Sequence, residues 1–247
     1  MSTDIDLNDT NVLRKDQLKK TGEEYSVVLL SAKNIDQILS LQDIAFANLK
    51  GQESMFLANN KDRNFFEKHF ANGNQVIGIV HDGRLIAQAI IVNPTKANPT
   101  TGMAIDIDQP LNKIAVMQGA IVDPAYRGNN LQGVLVDERM AVSKKNGRTE
   151  IYSEVALNNS FSWSVLLKKG LEIEATGKSP YTGADVYVMH GHLPALRRDF
   201  AASAPRAVVP QSDVPKQEKL LKEGYKGVEF DKTKSTITFA RPAPGRP

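Results

Sequence analysis

The chain has 247 residues, enough for one domain with appendages or for two small ones. Apolar residues make up 41% and charged residues 24%, the values of an ordinary globular domain, which excludes a collagenous or wholly disordered chain. The net charge is only +3 and cysteine is absent, so charge argues against nucleic acid as the main partner, and disulfides, thiolate zinc sites and a cysteine nucleophile are excluded.

In chain order, residues 1–24 carry four basic and six acidic side chains and predict a polar N-terminal tail. The opening M-S-T-D-I-D-L-N-D-T has no apolar run after it and reads as neither signal nor transit peptide, so a cytoplasmic protein is expected. Tyr25 to Leu30 predicts a strand. Ile35 to Leu49, with Ile35, Ile38, Leu39, Leu41, Ile44, Ala45 and Phe46, predicts an amphipathic helix. Asp62 to Phe70 predicts a short helix. Val76 to Val80 and Arg84 to Val92 predict two strands joined at His81-Asp82-Gly83, since Asp-Gly favours a hairpin. Leu85 to Val92 is the longest nearly apolar stretch, far short of the ~20 residues that span a bilayer, so no membrane partner is expected.

Residues 93–112 predict a loop. Lys113 to Val122 predicts a strand apolar on both faces, hence central. Leu131 to Lys145 predicts a helix whose stripe is Leu131, Val134, Leu135, Ala141 and Val142, with Glu138 as a polar interruption. Glu150 to Ala156 predicts a strand, Asn159 to Lys169 a helix ended by Gly170, and Leu171 to Thr176 and Asp185 to His192 two more strands. The fold class is therefore α/β in the mixed α+β sense, antiparallel early and with a βαβ unit late. Residues 193–247 hold eleven basic and six acidic side chains and seven of the twelve prolines. They divide into a Pro/Ala-rich linker over 193–215 and a C-terminal α-β-β extension over 216–247, with a helix over Gln217 to Glu223 and strands over Gly227 to Asp231 and Ser235 to Phe239. Some 30 residues are too few for a core of their own, so the extension is expected to dock on the domain or on a partner subunit, the latter making a homodimer.

The run D-P-A-Y-R-G-N-N-L-Q-G, Asp123 to Gly133, joins a buried strand to a helix. Gly128, Asn129, Asn130 and Gly133 tolerate unusual backbone dihedrals. A tight turn there leaves backbone N–H groups free at the helix start, and Arg127 adds positive charge, which suits a phosphate or pyrophosphate. The same residue types also serve turns whose only need is geometry. The run is neither a P-loop nor a dinucleotide fingerprint, because G-K-[ST] and G-x-G-x-x-G are absent.

With V-D-P-A-Y-R-G-N-N-L-Q-G followed at the right spacing by N-S-F-S-W-S-V-L-L-K-K-G-L, from Asn159 to Leu171, the chain resembles the GNAT superfamily of acyl-CoA-dependent N-acetyltransferases over about residues 25–192. The resemblance implies a central mixed sheet flanked by helices, with a V-shaped cleft where the strand ending at Val122 splays from the strand Glu150 to Ala156. It implies acetyl-CoA as co-substrate. Backbone around Ala120, Ile121 and Val122 would bind the pantetheine arm, and the turn Arg127, Gly128, Asn129, Asn130, Leu131, Gln132 and Gly133 would wrap the pyrophosphate. Asn159 would reach the cofactor from the other wall, with Ser162 one turn on. Asn130 and Gln132 depart from the family's usual glycines. Leu166 stands where a tyrosine often protonates the departing thiolate, and Tyr152, Ser160 and Ser164 are the nameable substitutes.

Acetyl transfer needs a neutral amine and a group to take its proton. Glu154 is the candidate base, near the end of the strand lining the cleft, against the alternative of a salt-bridged carboxylate. Glu150 is a weaker one, and Gln118 cannot serve. Tyr152 is the candidate acid. His190 and His192 face one way in H-G-H, but two ligands without a third make no metal site, and no metal is expected. Tyr181 is either an acceptor contact or a loop aromatic. The acceptor would be a small-molecule amine or a peptide amine. Two alternatives stay open: a non-catalytic acyl-CoA-binding module, and an acyltransferase of the same fold with a longer acyl donor.

Overall fold

The structure is a computed structural model that describes residues 4–7, 10–49, 61–99, 101–196, 200 and 204–242. Its elements in chain order are β1 (Asn11–Gln17), β2 (Glu24–Leu30), α1 (Ile35–Ala47), α2 (Arg63–Ala71), β3 (Gln75–His81), β4 (Arg84–Val92), β5 (Ile114–Val122), α3 (Leu131–Lys145), β6 (Glu150–Ala156), α4 (Ser160–Lys168), β7 (Glu172–Lys178), β8 (Asp185–His192), β9 (Arg206–Pro210), α5 (Val214–Lys222), β10 (Lys226–Asp231) and β11 (Thr236–Ala240). The strands form one sheet in the order β1-β2-β3-β4-β5-β6-β8-β7-β10-β11-β9. This is the mixed α+β architecture that the sequence predicts, a central sheet flanked by helices. Among the described residues no helix is long and apolar enough to cross a membrane.

The hairpin β3–β4 turns on Asp82 and Gly83, both at positive φ, 47° and 75°, which matches the twist of the flanking strands. Between β4 and β5 the register slips, because Gly119 and Ala120 together oppose Ala89. Gly119 adopts φ +48°, and a Cβ there would come within 3.1 Å of Ile90 Cδ1, so this bulge is built around the missing side chain. β5 and β6 then pair in parallel, joined by the crossover helix α3.

Side chains alternate between the two faces of the sheet. On one face, Leu135 and Val136 of α3 and Trp163 and Leu166 of α4 pack on Ile79, Ile86, Met117, Ile151, Tyr187 and Met189. On the other, Ile35, Ile38 and Leu41 of α1 and Phe66 of α2 cover Val28, Val76, Ile90 and Ile121. Further along this second face, Met103, Ala104, Ile105 and Leu111 fold over Ile114, Val116, Tyr152 and Val188.

Two strands lie where the sequence predicts none. β1 occupies the expected polar tail. Its side chains are mostly exposed, so no alternating pattern marks it, and it is held by backbone pairing with β2. Charged side chains suit such an edge, because they discourage pairing with another chain. β9 lies inside the expected linker. It spans five residues, of which only Val209 is buried, and it ends on Pro210 at the far edge of the sheet. The helix expected from Gln217 starts earlier, at Val214, because Asp213 caps it by accepting from Lys216 N at 3.2 Å and Pro215 occupies the first turn.

The C-terminal segment continues the sheet, with Gly227 of β10 paired to Ile173 of β7. Phe230 meets the Trp163 ring edge-on at 4.5 Å. The buried Gln217 accepts from the Tyr187 hydroxyl and donates to the carbonyls of Pro210 and Gln211, both at 2.9 Å. Phe239 and Ile237 are fully buried beneath this segment. Phe239→Ala is therefore expected to cost about 3–5 kcal/mol, and Val208→Ala on the exposed face of β9 under about 0.5 kcal/mol. Guanidinium unfolding midpoints of the two variants test the difference.

Candidate active site

The parallel ladder between β5 and β6 lasts four residue pairs, from Ile114 opposite Glu150 to Met117 opposite Ser153. Beyond that point the strands part. At the vertex, two side chains bond main-chain carbonyls of β5: Ser153 Oγ donates to Met117 O at 3.0 Å, and Arg139 Nη1 donates to Gln118 O at 3.4 Å. The opening continues as a cleft of about 630 Å³. One wall is Gly119 to Val122, the other Glu154 to Ala156 with Asn159 and Ser162, and Leu166 also faces it.

The mouth is the turn between β5 and α3. The buried Asp123 accepts from Ala125 N at 2.9 Å and starts the turn. Gly128 then adopts φ 85°, and Asn130 sits in the left-handed region at φ 60°, which Asn tolerates better than most residues. Asn130 precedes α3 without making a side-chain cap bond, and the first N–H to bond back along the helix is that of Val134, to Asn130 O. The N–H groups of Leu131, Gln132 and Gly133 thus stand at the helix's positive end, with Gly128, Asn130, Leu131, Gln132 and Arg127 lining the cleft. Gly133 is small for a reason: a Cβ there would come within 2.7 Å of Asn130 Oδ1. Asn129 is buried and does not line the cleft. It holds the turn's shape, donating to Tyr126 O and accepting from Lys20 N, both at 2.9 Å, while Lys20 Nζ donates to Arg127 O at 2.8 Å.

The second wall is joined to the first. Gln132 Nε2 donates to Ser162 Oγ at 3.0 Å, so the long side chain that departs from the family pattern ties α3 to α4. Asn159 caps α4, accepting from Ser162 N at 3.1 Å, and lines the cleft as well.

Among the acid and base candidates, Glu154 faces the cleft from beyond the vertex. Burial pushes its carboxyl above the usual glutamate range, and the Ala104 N–H and the Ser179 side chain, both bonded to it, pull it partly back. Tyr181 is raised by burial and by this carboxylate nearby, and its hydroxyl packs so close to Gly102 that a Cβ there would collide with it. Tyr152, expected as an acid, is not placed at the cleft. It stands opposite Val116 inside the closed part of the ladder, buried, with its ring stacked 4.5 Å from His190. Ser160 and Ser164 do not line the cleft either. His190 and His192 face one way, as their spacing predicts, and both bond the Glu150 carboxylate at 2.8 Å. Among the described residues no group of three or more His, Cys, Asp or Glu is arranged to hold a metal ion.

Two kinds of cleft residue escape the sequence reading. Ala45, Phe46 and Leu49 come from α1 and its end, and only the tertiary fold brings them there. Arg139 follows Leu135 by four residues and precedes Val142 by three, so it lies on the apolar stripe of α3, and that spacing was a usable signal. Glu138, which looks like the interruption, points instead to Arg14 of β1 and pairs with it.

No family model and no curated protein matches the sequence. Solved structures do match. The GNAT domain of S. lividans PAT superposes with a TM-score of 0.54 at 13% identity, over 76% of this chain and 99% of that one. The ribosomal-protein-S18-alanine N-acetyltransferase from Escherichia coli gives 0.52 at 13%, over 72% of this chain and 99% of that one. A Salmonella typhimurium structure described as an acetyltransferase with its cofactor acetyl-CoA also gives 0.52 at 13%, over 68% of this chain and 94% of that one. Identity this low speaks for architecture, and together with the splayed strands it establishes that the chain has the fold of the GNAT N-acetyltransferases.

Proposed function

We propose that the protein is an acyl-CoA-dependent N-acyltransferase of the GNAT superfamily, with residues 25–192 as the catalytic unit, acetyl-CoA as the parent donor and a primary amine of a small molecule or peptide as acceptor. The observation that carries this reading is the cleft itself, opened by the parting of β5 and β6 and closed at its mouth by the first turn of α3, whose N–H groups precede the first intrahelical bond. A CoA thioester suits those parts. Its pyrophosphate fits the helix N-terminus and Arg127, and its pantetheine fits the edge of β5 that loses its strand partner after Met117. The acetyl-CoA bound by the Salmonella typhimurium neighbour supports the same donor, and the Escherichia coli N-acetyltransferase neighbour supports an amine acceptor.

In the transfer, the amine nitrogen bonds to the thioester carbonyl carbon and the carbon–sulfur bond breaks, so CoA leaves with the electron pair. Glu154 takes the amine's proton. It stands on the face of β6 covered by residues 101–111, opposite the face where α3 packs, so acceptor and donor approach from different sides. Backbone N–H groups of β5 beyond the vertex steady the developing oxyanion. Leu166 lines the cleft and has no proton to give, so the thiolate leaves to be protonated by water.

Thermal unfolding with acetyl-CoA at about 100 times its dissociation constant should show a stabilisation of ~2.7 kcal/mol, roughly 5–10 °C for a chain of this size. The double variant Arg127→Ala, Asn159→Ala should lose that shift, measured against its own ligand-free melting point because Asn159 also caps α4. No shift for the unaltered protein with acetyl-CoA or CoA would remove the donor assignment.

Glu154→Gln should lower kcat by about 10²–10⁴ and leave the KM for the donor unchanged, read by thiol release over a panel of primary amines and peptides. The unaltered enzyme should gain activity as pH rises through the elevated Glu154 range, and the variant should lack that limb. Stability runs the other way. A carboxyl held above its unfolded value stabilises the fold at low pH, and that contribution is lost as pH climbs past the ordinary glutamate range. The Gln variant should therefore become the more stable of the two toward neutral pH.

A further inference from the structure

Arg139 is 3% exposed, yet its side chain lines the cleft. Its Nε donates to Leu135 O at 3.2 Å and its Nη1 to Gln118 O at 3.4 Å. A guanidinium has five N–H donors, so these contacts leave most of them unused. Among the described residues no carboxylate faces it. Burial alone pushes its pKa down, to about 9, and it stays cationic at neutral pH. A buried charge without a counter-ion is expensive, and proteins tolerate one where a ligand completes the pair.

Its position narrows the ligand. α3 rises 1.5 Å per residue, which puts Arg139 about 12 Å inward from Leu131 at the mouth. It bonds Gln118, the residue directly after the last β5–β6 pair, so it marks the vertex and not the phosphate end. It also lies on the donor's side. Ile151 and Val155 of β6 share the core with α3, whereas Glu154, between them in the alternation, points to the opposite face.

Resting on the acyl-CoA reading above, we infer that Arg139 pairs with a carboxylate at the far end of the donor's acyl chain, so that the preferred donor is the CoA monothioester of a dicarboxylic acid. The carboxylate takes no part in bond exchange. It is held by the guanidinium while the amine attacks the thioester carbonyl at the other end of the chain, and the product is an amide that carries the free acid. This assigns Arg139 as a specificity residue for the donor.

Calorimetric titration of the full chain with CoA, acetyl-CoA, malonyl-CoA, succinyl-CoA and glutaryl-CoA tests the assignment without knowledge of the acceptor. At least one of the three carboxyacyl thioesters should bind at least about tenfold more tightly than acetyl-CoA. Arg139→Met should remove that preference and change the affinity for free CoA far less, since the pyrophosphate contacts proposed at Arg127 to Gly133 lie at the mouth. Arg139→Lys, which keeps the charge should the Met variant fail to fold, should retain part of the preference. Equal affinity for all four thioesters, a preference that survives Arg139→Met, or a parallel loss for free CoA would each overturn the inference while leaving acyl-CoA binding intact. Failure of every CoA species to bind would instead remove the acyl-CoA reading and the inference with it.

Discussion

The early end of the β5–β6 ladder is the constraint on which the rest of the molecule depends. A parallel pair joined by a crossover helix normally continues for the length of both strands, because each residue added brings backbone bonds at little further cost. Here pairing stops at Met117 and Ser153, although β5 runs on to Val122 and β6 to Ala156. Backbone groups buried without partners are costly, so the parting needs compensation. The protein supplies some of it locally: the Ser153 hydroxyl and the Arg139 guanidinium each serve a vertex carbonyl. The bulge at Gly119–Ala120 turns the outer half of β5 while the strand keeps its bonds to β4 at Ile121 and Val122. The cleft is therefore a designed interruption of a sheet that is otherwise continuous over eleven strands.

That interruption also explains which parts of the site were legible in the sequence. The turn from Asp123 to Gly133 could be read because its chemistry is local: left-handed positions require Gly or Asn, and Asn130 and Gly128 stand there. Most of the element order along the chain could be read because apolar runs and the Asp82-Gly83 turn punctuate it. Glu150, Tyr152 and Glu154 alternate on one face and look equivalent in sequence, yet only Glu154 lies beyond the vertex. The vertex is fixed by Gly119, Arg139 and the partner strand, which no local pattern reports. Arg139 is hard to see in the sequence because a stripe is counted by its apolar members, and a buried cation is the rare exception. β1 and β9 are equally faint because edge strands rest on backbone bonds and leave little trace in side-chain periodicity.

The far side of the sheet shows how the chain handles an exposed edge. β7 would otherwise present unpaired backbone groups at the edge of the sheet, and β10, β11 and β9 extend the sheet past it. Their attachment is not only backbone. Gln217 uses its amide group in three hydrogen bonds in the interior, and Trp163 is held between Tyr187 and Phe230. Trp163 belongs to α4, the helix that Asn159 caps, so the C-terminal segment braces the same helix that forms the second wall.

At the opposite end of the sequence, Lys20 holds the mouth turn without lining the cleft, donating its backbone N–H to Asn129 Oδ1 and its ammonium to Arg127 O. It lies in the reversal between β1 and β2, where the Leu18 N–H bonds Glu23 O and the buried Leu18 side chain anchors the bend in the core. The backbone donors of the turn are therefore set in place when β1 joins the sheet, and the entropy of ordering them is spent in folding, not at the moment of ligand capture. The shape of this mouth is thus an inheritance from a strand more than a hundred residues away in sequence. Loosening that strand would disorder the turn without altering a single atom that lines the cleft.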